Sequence, residues 1–204
     1  MWRGICNSAG LTMNAQSPAG FSLLEAVIAT GIMAVALAAL GQMFAISVAN
    51  NTSARSGSYA TVLAEQKMEQ LRGLTWGFDT LGLPVTDSTT DTAAAVETPT
   101  GGTGLSSSPR GTLGTLGTLT SNTPGYVDYV DQFGNSLGGG AAMPAGAVYV
   151  RRWSVESLPS SPNTLVLHVL VTKRTNRGSA DADGATRRLP DEARLVSAKT
   201  RKAP

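Results

Sequence analysis

The chain is poor in the residues that staple a fold or carry out catalysis. It holds one cysteine, Cys6, and one histidine, His168. A lone cysteine excludes an internal disulfide and leaves the redox compartment unspecified. A lone histidine means that every Ser/His/Asp or Cys/His arrangement would have to use His168, which reads instead as a packed or half-exposed mid-strand residue. Charge is scarce too, at 15% Asp, Glu, Lys and Arg with a net charge of +2, too small a surplus to argue for nucleic acid. The basic residues gather late: residues 173–202 carry nine Lys or Arg against four Asp or Glu, which reads as a solvated polar end. At 204 residues the chain has room for one ordinary domain and appendages.

Charge and proline are both absent from residues 26–51, and Glu25 is the only ionisable side chain of residues 21–49. A helix rises about 1.5 Å per residue, so roughly 20 residues cross a bilayer core. This run exceeds that length. Thr30, Gln42 and Ser47 do not form the polar face expected of a buried helix in a soluble protein. Gly31 and Gly41 weaken a helix in water but suit helices that approach one another in lipid. A secretory signal has an apolar stretch of about 7–15 residues, a basic start and a small-x-small cleavage site behind it. Here the run is too long, only Arg3 precedes it, and Ala36-Leu37-Ala38 lies inside it. A plain signal anchor fits better but leaves Glu25 without a reason. A carboxylate in a membrane helix costs about 2.5–3.5 kcal/mol at the centre and less near an end, so it calls for a partner.

The segment Gly20-Phe21-Ser22-Leu23-Leu24-Glu25 resembles the processing motif of type IV prepilins and type II secretion pseudopilins. The resemblance implies cleavage between Gly20 and Phe21 by prepilin peptidase at the cytoplasmic face, and N-methylation of the new Phe21 amine. It implies retention of the apolar helix in the inner membrane, a periplasmic head, and assembly with other pilin or pseudopilin subunits on an inner-membrane platform. The physics agrees at each residue. Gly20 lets a peptidase approach the backbone. Phe21 becomes a cationic terminus, and Glu25 can neutralise such an amine on a neighbouring subunit, a pairing that is costly to break from one side. The alternative is a single-pass anchor with a chance glutamate, carrying a periplasmic binding module or enzyme that never enters a filament. Two features depart from the family. The leader, residues 1–20, has one arginine, and a start at Met13 would leave none. The apolar helix lacks the proline that major pilins often carry, which tilts the resemblance toward a minor pilin or minor pseudopilin. Adhesion or DNA uptake would then belong to the assembled filament.

Residues 50–73 continue the helix as an amphipathic half, with Ala60, Leu63, Ala64, Met68 and Leu71 at helical spacing and Gly73 as its stop. Glu65, Lys67, Glu69 and Arg72 read as polar decoration, with Glu69 and Arg72 an i,i+3 pair. Gly57 reads as a soft point. The stretch LAEQKMEQLR, residues 63–72, also resembles the end of this helix in minor pilins and pseudopilins. Residues 74–124 are rich in Thr, Ser and Gly, include the repeat GTLGTLGTL, and read as a long surface excursion with Trp76, Phe78, Leu81 and Leu83 tucked against the head.

Residues 125–204 read as strands: GYVDYVD, a turn at QFGNS, AVYVRRWSVESL, a break at PSSPN, TLVLHVLVTKR and ARLVSAKT. Tyr149, Arg151, Trp153 and Val155 share one face. Leu165, Leu167, Val169 and Val171 share another, with Val166, His168 and Leu170 opposite. A small sheet must bury its apolar face, and the amphipathic half of the helix can cover it. The expected class is therefore α+β. The resemblance implies a pilin fold, a long N-terminal helix laid across an antiparallel sheet. No catalytic residue and no cofactor are expected. Asp181 and Asp183 in DADG form a fragment of a calcium-loop pattern, and some pseudopilins bind calcium in their C-terminal loops. A polar turn fits these residues better, and Arg187 and Arg188 disfavour a cation. Gly138-Gly139-Gly140 lacks a following Lys-Ser/Thr and reads as a flexible turn.

Overall fold

The computed structural model describes residues 20–93, 101–109, 117–174 and 191–201. The leader before Gly20, Asp181, Asp183, Arg187 and Arg188 lie outside the described residues, as does part of the GTL repeat. The chain divides into two compact units, one ending at Ser47 and the other beginning at Val48. Helix α1 runs Leu23–Gly73, and its first part belongs to the first unit.

In the first unit every described residue is exposed, including Leu23, Leu24, Val27 and Ile28 on successive turns. The helix is long and apolar enough to cross a membrane, and none of its most apolar stretch is buried. A water-facing surface of this kind is far larger than soluble monomers tolerate. Thr30, the one hydroxyl in its first turns, donates to the carbonyls of Ala26 and Val27 and so is satisfied within the helix.

The second unit holds the rest of α1 and two sheets. Strands β1 (Trp76–Phe78) and β2 (Pro84–Thr86) form a small hairpin. Beyond the short helix α2 (Gly117–Thr120) come β3 (Val127–Val130), β4 (Ser136–Gly139), β5 (Tyr149–Leu158), β6 (Ser161–Lys173) and β7 (Glu192–Thr200). These five make one antiparallel sheet in the order β4-β3-β5-β6-β7. The fold is α+β, a long N-terminal helix with a separate antiparallel sheet.

Period-2 alternation places the core. Leu165, Leu167, Val169 and Val171 of β6 and Trp153 and Val155 of β5 are all buried in one cluster with Ala60, Leu63, Ala64, Met68 and Leu71 of α1. The 3.6-residue stripe of the helix thus meets the 2-residue stripe of the sheet. Trp153, fully buried, is the largest side chain in that contact.

Several expectations need correction. Lys67 is not decoration: it is fully buried, because it lies inside the stripe formed by Leu63, Ala64, Met68 and Leu71. The helix passes through Gly57 without a break. Residues 74–124 are not simply a surface excursion. Thr90, Thr92, Ala93, Leu105, Thr118 and Leu119 are buried, and Thr118 donates to the Trp153 carbonyl. Of the apolar residues at the start of that region, Trp76 is buried and Phe78 half-buried, but Leu81 and Leu83 face solvent. β6 begins at Ser161, so the break at PSSPN shrinks to a tight hairpin at Pro159 and Ser160. β3 is buried on both faces and shows no alternation. Gly138 and Gly139 belong to β4 rather than to a turn. A Cβ on Gly139 would stand 2.6 Å from the Val127 carbonyl oxygen, so the glycine permits a close backbone approach.

Candidate functional site

Gly20, Phe21 and Glu25 lie together at the start of α1, all exposed. Gly20 and Phe21 precede the helix, whose first intrahelical bond runs from the Ala26 N–H to the Ser22 carbonyl. Phe21 is 83% exposed. The bond after Gly20 therefore sits in non-helical chain just ahead of the helix. Glu25 falls in the first helical turn, where a negative charge complements the helix dipole. Ser22 and Glu25 have the spacing of a capping box. Neither side chain makes that bond, and Glu25 has no ion-pair or hydrogen-bond partner among the described residues.

A second charged constellation, which the sequence did not reveal, is in the head. Asp128 of β3 and Lys67 of α1 are both fully buried, with Lys67 Nζ 2.6 Å from Asp128 Oδ2. Arg151 of β5 donates to both oxygens of the same carboxylate, Nε to Oδ1 and Nη2 to Oδ2, each at 2.8 Å. Arg151 also donates to Gln66, and Lys67 to Gln70 and to the Thr92 carbonyl. The Lys67 ammonium stands 4.5 Å from the Trp153 ring centre, a cation–π contact in a dry site. The cluster ties helix, sheet and the 87–93 loop to one carboxylate. The available signal was Lys67's place inside the apolar helical stripe. Nothing local marked Asp128 as its partner.

Two cations share that one carboxylate. Burial, opposed by Asp128 and reinforced by Arg151, lowers the Lys67 pKa from 10.5 to about 8. The unfolded chain therefore keeps a proton between these values that the native head has released, so stability rises with pH across the window. Head stability should climb as pH increases from 8 toward 10, and Lys67→Met should flatten most of the climb, leaving the part due to Lys199, whose pKa burial also lowers. Unfolding midpoints recorded at pH 7, 8, 9 and 10 test this. Above that range Tyr126, Tyr129 and Tyr149, whose pKa values burial raises, oppose the trend.

Lys199 of β7 caps the other end of α1, donating to the carbonyls of Leu71, Arg72 and Leu74. Arg201 stacks on Trp76 at 3.6 Å and donates to the carbonyls of Gly77 and Val85, which fastens the β1–β2 hairpin. His168 is half-buried, its Nδ1 has no partner among the described residues, and burial lowers its pKa. Among the described residues no group of three or more His, Cys, Asp or Glu side chains could hold a metal. The expected Glu69–Arg72 pair forms at 3.0 Å.

The chain matches no known family, no curated protein and no solved structure.

Proposed function

We propose that this chain is a structural filament subunit of the type IV pilin kind, a minor pilin or a minor pseudopilin of type II secretion, with a pilin fold. One observation carries the reading: an exposed Gly20-Phe21 junction just ahead of an apolar helix whose single carboxylate, Glu25, has no partner among the described residues. Prepilin peptidase cleaves after Gly20 at the cytoplasmic face, and the Phe21 amine is methylated. The helix then holds the chain in the inner membrane with its head in the periplasm. Assembly joins it to other pilin or pseudopilin subunits through Glu25 and a neighbour's terminal ammonium. A charge in lipid favours the state that neutralises it, so the carboxylate acts as a register device. No catalysis is assigned to the head, and no cofactor.

Mass spectrometry of the N-terminal peptide from membrane-purified protein tests this. The expected peptide begins at Phe21 and carries an added methyl. A peptide that begins after Ala49, at Met1 or at Met13 overturns the reading in favour of a permanently anchored binding module or a cleaved secretory protein.

A further inference from the structure

Two hairpin tips of the head are built alike. The β1–β2 tip reads DTLGL, residues 79–83, and the β3–β4 tip reads DQFGN, residues 131–135. In each, the aspartate Oδ1 accepts the N–H groups two and four residues on, those of Leu81 and Leu83 in one and of Phe133 and Asn135 in the other. The glycine at the fourth position takes a positive φ, +78° at Gly82 and +90° at Gly134, and its N–H returns to the aspartate carbonyl. This turn fixes an apolar third residue outward: Leu81 is 82% exposed and Phe133 76%.

The tips lie at opposite ends of the head. Val130 pairs with Tyr149 at the start of β5, so the Phe133 tip extends beyond that end. The β1–β2 hairpin is fastened at the other end, where Trp76 Nε1 and the Arg201 N–H both donate to the Asn163 carbonyl. On the Phe133 side α1 carries a shallow, solvent-open groove lined by Ala54, Arg55, Ser58, Tyr59 and Val62. Gly134 packs against the Tyr59 hydroxyl, so the Phe133 tip stands beside the groove. Val62 is 59% exposed, and Arg55 is exposed with no partner among the described residues. At the far end the Leu81 tip offers a protruding leucine beside a carboxylate, Asp79, whose second oxygen makes no bond among the described residues.

We propose that the Leu81 tip of one copy of this chain docks in the Tyr59 and Val62 groove of a second copy, with the Asp79 carboxylate meeting Arg55. Leucine fills an apolar groove, and opposite charges fix the register at its rim. Knob and groove are different surfaces, so the contact is heterologous, and it extends as an open array when each copy is displaced along the axis from the last. Arg55 and Gly73 are roughly 27 Å apart along the helix at 1.5 Å per residue, so the contact joins copies displaced lengthwise. The contact thereby sets one copy of the chain behind another along the filament axis. This rests on the filament reading and adds the surface that joins the heads.

Two single-cysteine chains test it, Leu81→Cys and Ser58→Cys, each with Cys6→Ser, co-expressed in full length and mildly oxidised. The expected product is a mixed disulfide dimer, lost when Arg55→Glu is added to the Ser58→Cys chain. A Leu81→Cys chain that pairs only with itself overturns the proposal, since that contact would be isologous. So does absence of any cross-link in chains whose N-terminal peptide begins at methylated Phe21, an outcome that leaves the filament reading standing. A cross-link of full yield despite Arg55→Glu overturns the assigned pairing with Asp79.

Discussion

Asp128→Ala lowers head stability by about 3–5 kcal/mol, the cost of leaving buried charge without its partner. Domains of this size are stable by only about 5–15 kcal/mol, so much of the population unfolds or is degraded. The carboxylate is fully buried and receives three charged donors, one from Lys67 and two from Arg151. Its removal strands two cations away from water, with Gln66, Gln70, the Thr92 carbonyl, the Trp153 ring and the more distant Asp91 charge left to receive them among the described residues. Lys67→Met acts in the opposite sense. It leaves the Asp128–Arg151 pair charge-balanced and deletes a cation that burial already disfavours, so it should cost far less at pH 7. Urea unfolding of the full-length protein in detergent, followed by tryptophan fluorescence, measures both, since Trp153 lies against the cluster. Asp128→Ala within about 1 kcal/mol of wild type, or Lys67→Met the more damaging of the two, would show that the carboxylate does not hold the site together.

That cluster also marks the limit of what the sequence conveys. The apolar helix was legible because length and absence of charge are local properties. β6 was legible because strict alternation survives wherever one face of a sheet is buried, as at Leu165, Leu167, Val169 and Val171, whereas β5, buried on both faces along Tyr149–Val155, was read from its β-branched and aromatic residues. β3 was only partly legible: all four of its residues are buried, so no period remains to be read. Lys67 and Asp128 were misjudged or overlooked because each is locally an ordinary polar residue, and their pairing depends on helix and sheet meeting. The Thr-rich region misled for a related reason. Its hydroxyls are polar in composition but bury well once they bond backbone, as Thr118 does to the Trp153 carbonyl. Glu25 was the reverse case. Its oddity stood out in the sequence because the surrounding run offers nothing to pair with it.

Glu25→Ala leaves membrane insertion intact and removes assembly. Taking a carboxylate out of an apolar helix favours the solitary inserted state, so the amount of protein in the membrane should hold or rise. On the proposed filament reading, the same change strands the methylated ammonium of an adjoining Phe21. At about 3 kcal/mol for a partner removed from a low-dielectric pair, the assembly equilibrium falls about 100-fold. Glutamine separates this from a local role. Ser22 and Glu25 have capping-box spacing, and glutamine at the N3 position serves a capping box as well as glutamate does. Glu25→Gln keeps the capacity to cap, gives up only the dipole contribution of about 0.3–1 kcal/mol and abolishes neutralisation of the neighbour, so on the proposed reading it should fail to assemble as Glu25→Ala does. Comparing the sheared-fibre fraction with the membrane fraction for the two variants decides between the roles. If Glu25→Gln assembles at the wild-type level while Glu25→Ala does not, the residue only starts its own helix. If both assemble at that level, the helix packs without the charge, and the carboxylate has no partner in a neighbouring chain.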